Sequence, residues 1–220
     1  MEINSLSDLV RFTWTSAATL VELGGSVVAV QLFISIIGLA MVFYKVLQFW
    51  PLREGRFDGM RNAIERWNAG EQEQATQALG RISLPLAKDV AFGLAQLASA
   101  DREVLRDELA RRGMQFLRPY GKLLRTLEIV YYLSPVLGLL GTVLGMIDAF
   151  RHLAAVAGSE KGSSALANGI WQALVCTAVG LVIAILFTTF HAALQTRLER
   201  ISEETSDVLT RVLTTKPGRA

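Results

Sequence analysis

The 220-residue chain has one cysteine, Cys176, and two histidines, His152 and His191, far apart in sequence. One thiol excludes a disulfide framework and a cysteine-rich metal site. Two distant histidines leave little material for a histidine metal centre or a catalytic triad. With no paired nucleophile and base, no metal-ligand spacing and no phosphate loop, an enzyme is the weakest reading. No catalytic residue, metal ion or cofactor is expected. Charge is scarce as well: Asp, Glu, Lys and Arg make up 19% of the chain, against roughly 25% in an ordinary soluble domain. The net charge of +2, with no basic cluster interleaved with stacking aromatics, speaks against nucleic acid as a partner.

The missing charge is missing from particular places. Leu23 to Tyr44, Ile129 to Ile147 and Ala165 to Phe190 are windows of 22, 19 and 26 residues without Asp, Glu, Lys or Arg. Each is about as long as the ~20 residues a helix needs to cross the hydrocarbon core of a bilayer. Buried core helices of soluble proteins are seldom uncharged for that long, so three membrane spans are expected. Glu2 and Asp8 stand where a cleaved leader would be basic, so the first run reads as a retained anchor.

Orientation follows from Lys and Arg, which accumulate on cytoplasmic flanks. Thirteen of them lie between Pro51 and Arg125, and Arg197, Arg200, Arg211, Lys216 and Arg219 follow the third run. Arg11 alone precedes the first run, and Arg151 and Lys161 alone lie between the second and third. The expected fold is an all-α membrane protein with three transmembrane helices and long helical cytoplasmic extensions, its N-terminus periplasmic and its C-terminus cytoplasmic. The expected segments are 1–22, an interfacial helix on the outer surface carrying Trp14; 23–50, the first span, entered through a turn at Gly24 and Gly25; 51–120, a cytoplasmic helical region; 121–150, the second span; 151–164, a periplasmic loop; 165–193, the third span; and 194–220, a C-terminal helix and tail. Pro85 suits a helix start and Asp101 an N-cap. From Arg102 no turn-forming cluster appears before Gly158, so one helix of roughly 50 residues, about 75 Å at 1.5 Å per residue, is expected through the second span. Pro119 and Pro135 should kink it.

Within the second run, Ser134, Gly138, Gly141 and Gly145 fall within about 60° of one another at 100° per residue, with Thr142 beside them. Gly141 and Gly145 form a G-x-x-x-G pair that admits a close neighbour helix. The third run has its own small, polar stripe through Ala173, Thr177, Gly180, Ala184, Thr188 and His191, with Asn168, Gln172 and Cys176 to one side. Polar groups in hydrocarbon must face protein or water. Two readings stay open: helix packing alone, with the hydroxyls bonded back to their own helices, or a lined path with Gln172 in it. A proton-driven machine needs a group that titrates partway across. Here Glu128 and Asp148 only bracket the second run, so a partner would have to supply that group.

The stretch "LSPVLGLLGTVLGMIDAF", followed after a short connection by "GIWQALVCTAVGLVIAI", resembles the MotA/TolQ/ExbB proton channel family, in particular its ExbB and TolQ branch. The region "GGSVVAVQLFISIIGLAMVFYKVLQFW" looks like that branch's N-terminal anchor. The resemblance covers about half of the chain. It implies a multi-pass subunit of the bacterial inner membrane that forms a homo-oligomeric ring, commonly a pentamer, around an ExbD- or TolR-like single-span protein whose transmembrane aspartate carries the proton. It also implies a TonB- or TolA-like protein as a further partner. The family's threonines fall on Thr142 and Thr177, and its glycines and proline on Pro135, Gly138, Gly141, Gly145 and Gly180. These five are expected to pack around the partner helix, and Thr142, Thr177, Gln172 and Ser134 to line the proton path. Where the best-known ExbB and TolQ proteins have a glutamate in the third span, this chain has Gln172, which keeps the polarity and removes a charge. The implied function is a stator-like proton-channel subunit that uses the proton-motive force for work on the cell envelope, such as TonB-dependent import. The alternatives are a membrane scaffold without conduction, or a stator for gliding or flagellar-type motility.

Overall fold

The computed structural model describes the backbone of residues 6–52, 54–155 and 160–216, and their side chains except at 6–17, 54, 160 and 161. It is all α: α1 (Leu6–Phe49), α2 (Glu54–Asn68), α3 (Gln72–Arg81), α4 (Pro85–Gln96), α5 (Arg102–Ala155) and α6 (Glu160–Thr214). α1, α5 and α6 are each long and apolar enough to cross a membrane. The connection expected over 151–164 is helical apart from 156–159, which lie outside the described residues. The side chains on the expected interfacial face, Trp14 included, also lie outside them.

Local chemistry sets the breaks. At Gly25 the backbone takes φ 71° and ψ −161°, a region essentially closed to residues with a Cβ. The expected turn between Gly24 and Gly25 is therefore present, as a joint within α1. Pro85 occupies the first turn of α4, where its missing N–H loses no helix bond. The Glu103 N–H donates to Asp101 Oδ1 at 2.9 Å, an N-cap worth about 1 kcal/mol. α5 runs as one helix through both Pro119 and Pro135.

The chain divides into two compact units. The first comprises residues 1–43 and 125–192. In it α1 buries Gly24, Val28, Gln31, Gly38 and Val42 along one face. The first run packs closely against α5 and α6 along this face: a methyl placed on Gly38 would sit 2.7 Å from Phe187 Cε1 and 3.3 Å from Val130 Cγ1. Opposite faces carry exposed Phe33, Ile36, Tyr132, Leu139 and Ile185, as lipid or a neighbouring subunit requires.

The second unit comprises residues 44–124 and 193–220. Its helices were expected to be mere extensions of the spans, but they enclose a core of their own. Phe57, Met60, Leu86, Val90, Leu94, Leu109 and Val208 are all at most 1% exposed, each stabilising by roughly 1.5–3 kcal/mol through burial. Gly93 of α4 lies so close to Val212 and Leu109 that an added methyl would meet them at 2.8 and 3.1 Å. Ion pairs tie the helices at the rim: Arg61 of α2 reaches Asp207, at 3.0 Å, and Glu204 on α6, while Arg112 of α5 reaches Asp89 on α4 at 3.1 Å. Lys45 is only 1% exposed. Its Nζ donates to Gln48 Oε1 at 2.8 Å and to the Pro119 and Tyr120 carbonyls at 3.3 and 2.6 Å. All three ammonium protons are thereby satisfied.

Candidate functional site

The small residues of α5 and α6 face each other within the chain. A methyl on Gly180 would stand 2.6 Å from the Ser134 carbonyl oxygen, one on Gly138 3.1 Å from Thr177 Cα, one on Gly141 2.8 Å from Cys176 Sγ, and one on Gly145 3.4 Å from Ala173 Cβ. Gly169 belongs to the same crossing, its added methyl 2.4 Å from Ala149 Cβ. The glycines expected around a partner's helix are thus occupied by this chain's own α1, α5 and α6. The close approach lets backbone carbonyls of one helix meet side chains of the next, the packing that G-x-x-x-G pairs permit. Pro135 is half-buried in the interior of α5.

The polar residues divide by where their protons go. Ser134 is 1% exposed, and its hydroxyl donates to the Val130 carbonyl at 2.7 Å. Thr142 is half-exposed and donates to Leu139 O of its own helix at 2.7 Å. Thr177, also half-exposed, donates across the seam to Gly138 O at 3.3 Å. Since a carbonyl oxygen only accepts, both threonine protons are committed and each hydroxyl offers its remaining lone pairs outward. The Thr142 bond has the usual length for O–H···O, whereas the Thr177 bond is stretched beyond it and is the easier to exchange. Gln172 sits against the α1 joint, where a methyl on Gly25 would come 2.3 Å from its Nε2. Cys176 is buried and its Sγ donates to Gly24 O at 3.0 Å. His191 packs its ring 5.3 Å from that of Tyr131.

Sequence reasoning passed over Gln31. It is 1% exposed, and its Nε2 donates to Ser134 O at 3.2 Å, the same carbonyl that Gly180 approaches. Its Oε1 has no hydrogen-bond partner among the described residues. A carboxamide in an otherwise apolar run, at helical spacing from Val28 and Gly38, was the available signal.

The seam between the apolar helices is built of glycines and hydroxyls, with no Asp, Glu, Lys or Arg in its middle. Residues 82–207, more than half of the chain, match the model of the MotA/TolQ/ExbB proton channel family. The chain belongs to that family. It is similar to a putative biopolymer transport protein ExbB homolog of Methanothermobacter thermautotrophicus, 27% identical over 61% of this chain and 47% of that protein. It also matches the biopolymer transport protein exbB1 of Vibrio cholerae, 48% identical over 28% of this chain and 27% of that protein. A putative biopolymer transport protein ExbB-like 3 of Synechocystis is 26% identical over 84% of this chain and 90% of its own length. The match spans less than half the length of the first two relatives. Among the described residues no cluster of His, Cys, Asp and Glu could hold a metal ion.

Proposed function

We propose that this MotA/TolQ/ExbB family protein is the proton-channel subunit of an ExbB–ExbD or TolQ–TolR type complex of the bacterial inner membrane, and that the complex uses the proton-motive force to energise work on the cell envelope such as TonB-dependent import. Residues 1–22 lie on the periplasmic side and the C-terminus in the cytoplasm, as the Lys and Arg distribution favours. Several copies, five in the simplest reading, surround an ExbD- or TolR-like single-span partner that supplies a transmembrane aspartate.

The observation that carries this reading is the half-exposed Thr177 hydroxyl bonded to Gly138 O across the α5–α6 seam, in a membrane segment with no Asp, Glu, Lys or Arg of its own. With their protons committed to carbonyls, Thr142 and Thr177 accept a hydrogen bond from a neutral carboxyl or from water. Stabilising the charged carboxylate requires a hydroxyl to turn and release its carbonyl. The stretched Thr177 bond makes it the one that turns, while Thr142 stays an acceptor. One hydroxyl thus favours each protonation state of the partner's aspartate, and exchange between them accompanies proton release. A membrane potential contributes ~2.3 kcal/mol per charge per 100 mV, and each pH unit ~1.4 kcal/mol, so a few protons suffice to bias a rotation or tilt.

The scaffold reading is favoured by the glycines being filled from within the chain. The two part on uncoupler sensitivity: envelope work by the reconstituted complex that persists when the proton gradient is collapsed removes the channel reading.

A further inference from the structure

The first unit contains a cavity that neither Thr142 nor Thr177 lines. It has a volume of about 160 Å³ and is walled by all three long helices, among them Gly24 and Ser26 of α1, Gly145 and Asp148 of α5, and Gln172 and Cys176 of α6. A cavity needs only some 10–15 Å³ to hold one water, and cavities that stay dry are apolar. This one offers a carboxylate, a carboxamide and a hydroxyl. The joint at Gly25 is part of its construction, since any side chain there would collide with the Gln172 amide. Farther along α1, seven residues and roughly 10 Å beyond Gly24, lies Gln31, whose buried Oε1 lacks a protein partner. An orphaned acceptor inside a seam of polar groups is the usual mark of an internal water.

We infer that this cavity is a water-filled vestibule enclosed within a single chain, open at its Asp148 end, and that its water extends along the α1–α5–α6 seam to Gln31 Oε1 and the Thr177–Gly138 pair. The Asp148 carboxylate at the mouth concentrates hydrated cations over anions. That the mouth faces the outer compartment, and that protons enter by it, rests on the function proposed above; the hydration itself does not.

The test uses the full chain assembled in sealed membrane vesicles of both orientations, with silver ions as the probe. Cys176 supplies one reporter in the unaltered protein. Ser26→Cys and, as a lipid-side control, Ile185→Cys, whose parent residue is 66% exposed on the face of α6 opposite Cys176, are placed in a Cys176→Ala background. A thiol must ionise to bind metal, which it does in water and not in hydrocarbon, so the thiols of Cys176 and of Ser26→Cys should be blocked at least about tenfold faster than that of Ile185→Cys, and from the outer side. Equal rates at the three positions overturn the inference, whereas access from the inner side alone keeps the hydration and overturns the outward-facing mouth. Should Ser26→Cys fail to accumulate, Cys176 in the native chain decides by itself. Reactive cysteines in a complex whose work ignores uncouplers keep the vestibule and remove the proton-channel reading. Uncoupler-sensitive work with unreactive cysteines removes the vestibule alone.

Discussion

Thr177 and Thr142 differ in the bond each hydroxyl makes, 3.3 Å across the seam against 2.7 Å within its own helix, and that difference is measurable. Thr177→Val removes the hydroxyl that turns toward a carboxylate. Loss of a hydrogen bond to a charged group costs about 1.5–3 kcal/mol, so proton-driven work should fall roughly ten- to hundredfold while ring assembly, followed by cross-linking, is unchanged. Thr177→Ser, which keeps the hydroxyl, should restore most of the loss. Full activity in Thr177→Val and Thr142→Val alike would remove both from the path. Gln31 behaves differently. Replacing it with Leu loses one hydrogen bond to Ser134 O but also removes an acceptor that no protein group satisfies. The two effects oppose, and the melting point of the solubilised protein should move by the equivalent of about 1 kcal/mol or less.

Among the helices, glycine decides where change is tolerated. A methyl on Gly180 meets backbone, 2.6 Å from Ser134 O, which cannot step aside as a side chain can. Gly180→Ala should therefore destabilise by about 1–3 kcal/mol. Gly80, in α3, has nothing within 4 Å of an added methyl, and Gly80→Ala should stabilise by up to ~1 kcal/mol through helix propensity. Thermal unfolding of the two variants against the parent gives both signs. These elements were legible to different degrees. The spans, the Asp101 cap, the Pro85 start and the Gly25 turn are local, and their residues announce them. The α5–α6 stripe was legible as a face, but periodicity says which residues share a face and not whose helix will cover it. The glycines read as a face for a partner's helix and Ser134 as part of a path, and within this chain the glycines of that face lie against α1, α5 and α6. Gln31 escaped notice because its partner Ser134 is 103 positions away. The core of the second unit escaped because α2 to α4 are short and only modestly apolar until they meet α5 and α6.

At the scale of the molecule, apolar exposure and ionic fastening are divided between the two units. The carboxyl of Glu108 is held at about 2 by hydrogen bonds from Arg111 and Arg112. Desolvation pushes Asp207 up, but hydrogen bonds from Arg211 and Arg61 outweigh it and keep it below its usual value. Both carboxyls titrate lower in the folded chain than in the unfolded one, so their contribution is full above the unfolded carboxylate range near pH 4 and fades as pH falls toward 2. The solubilised protein should lose thermal stability across that window. Glu108→Gln should flatten the decline, and a profile indifferent to that change would show that the pair does not stabilise the fold. Lys45 has another consequence. A cation at the end of a span ordinarily settles among the phosphates of the leaflet, and the composition of that leaflet then governs how firmly the span is held. Here the ammonium is fully engaged by Gln48 and two carbonyls of α5, so the position of α1 should be indifferent to whether the surrounding lipids are anionic or neutral.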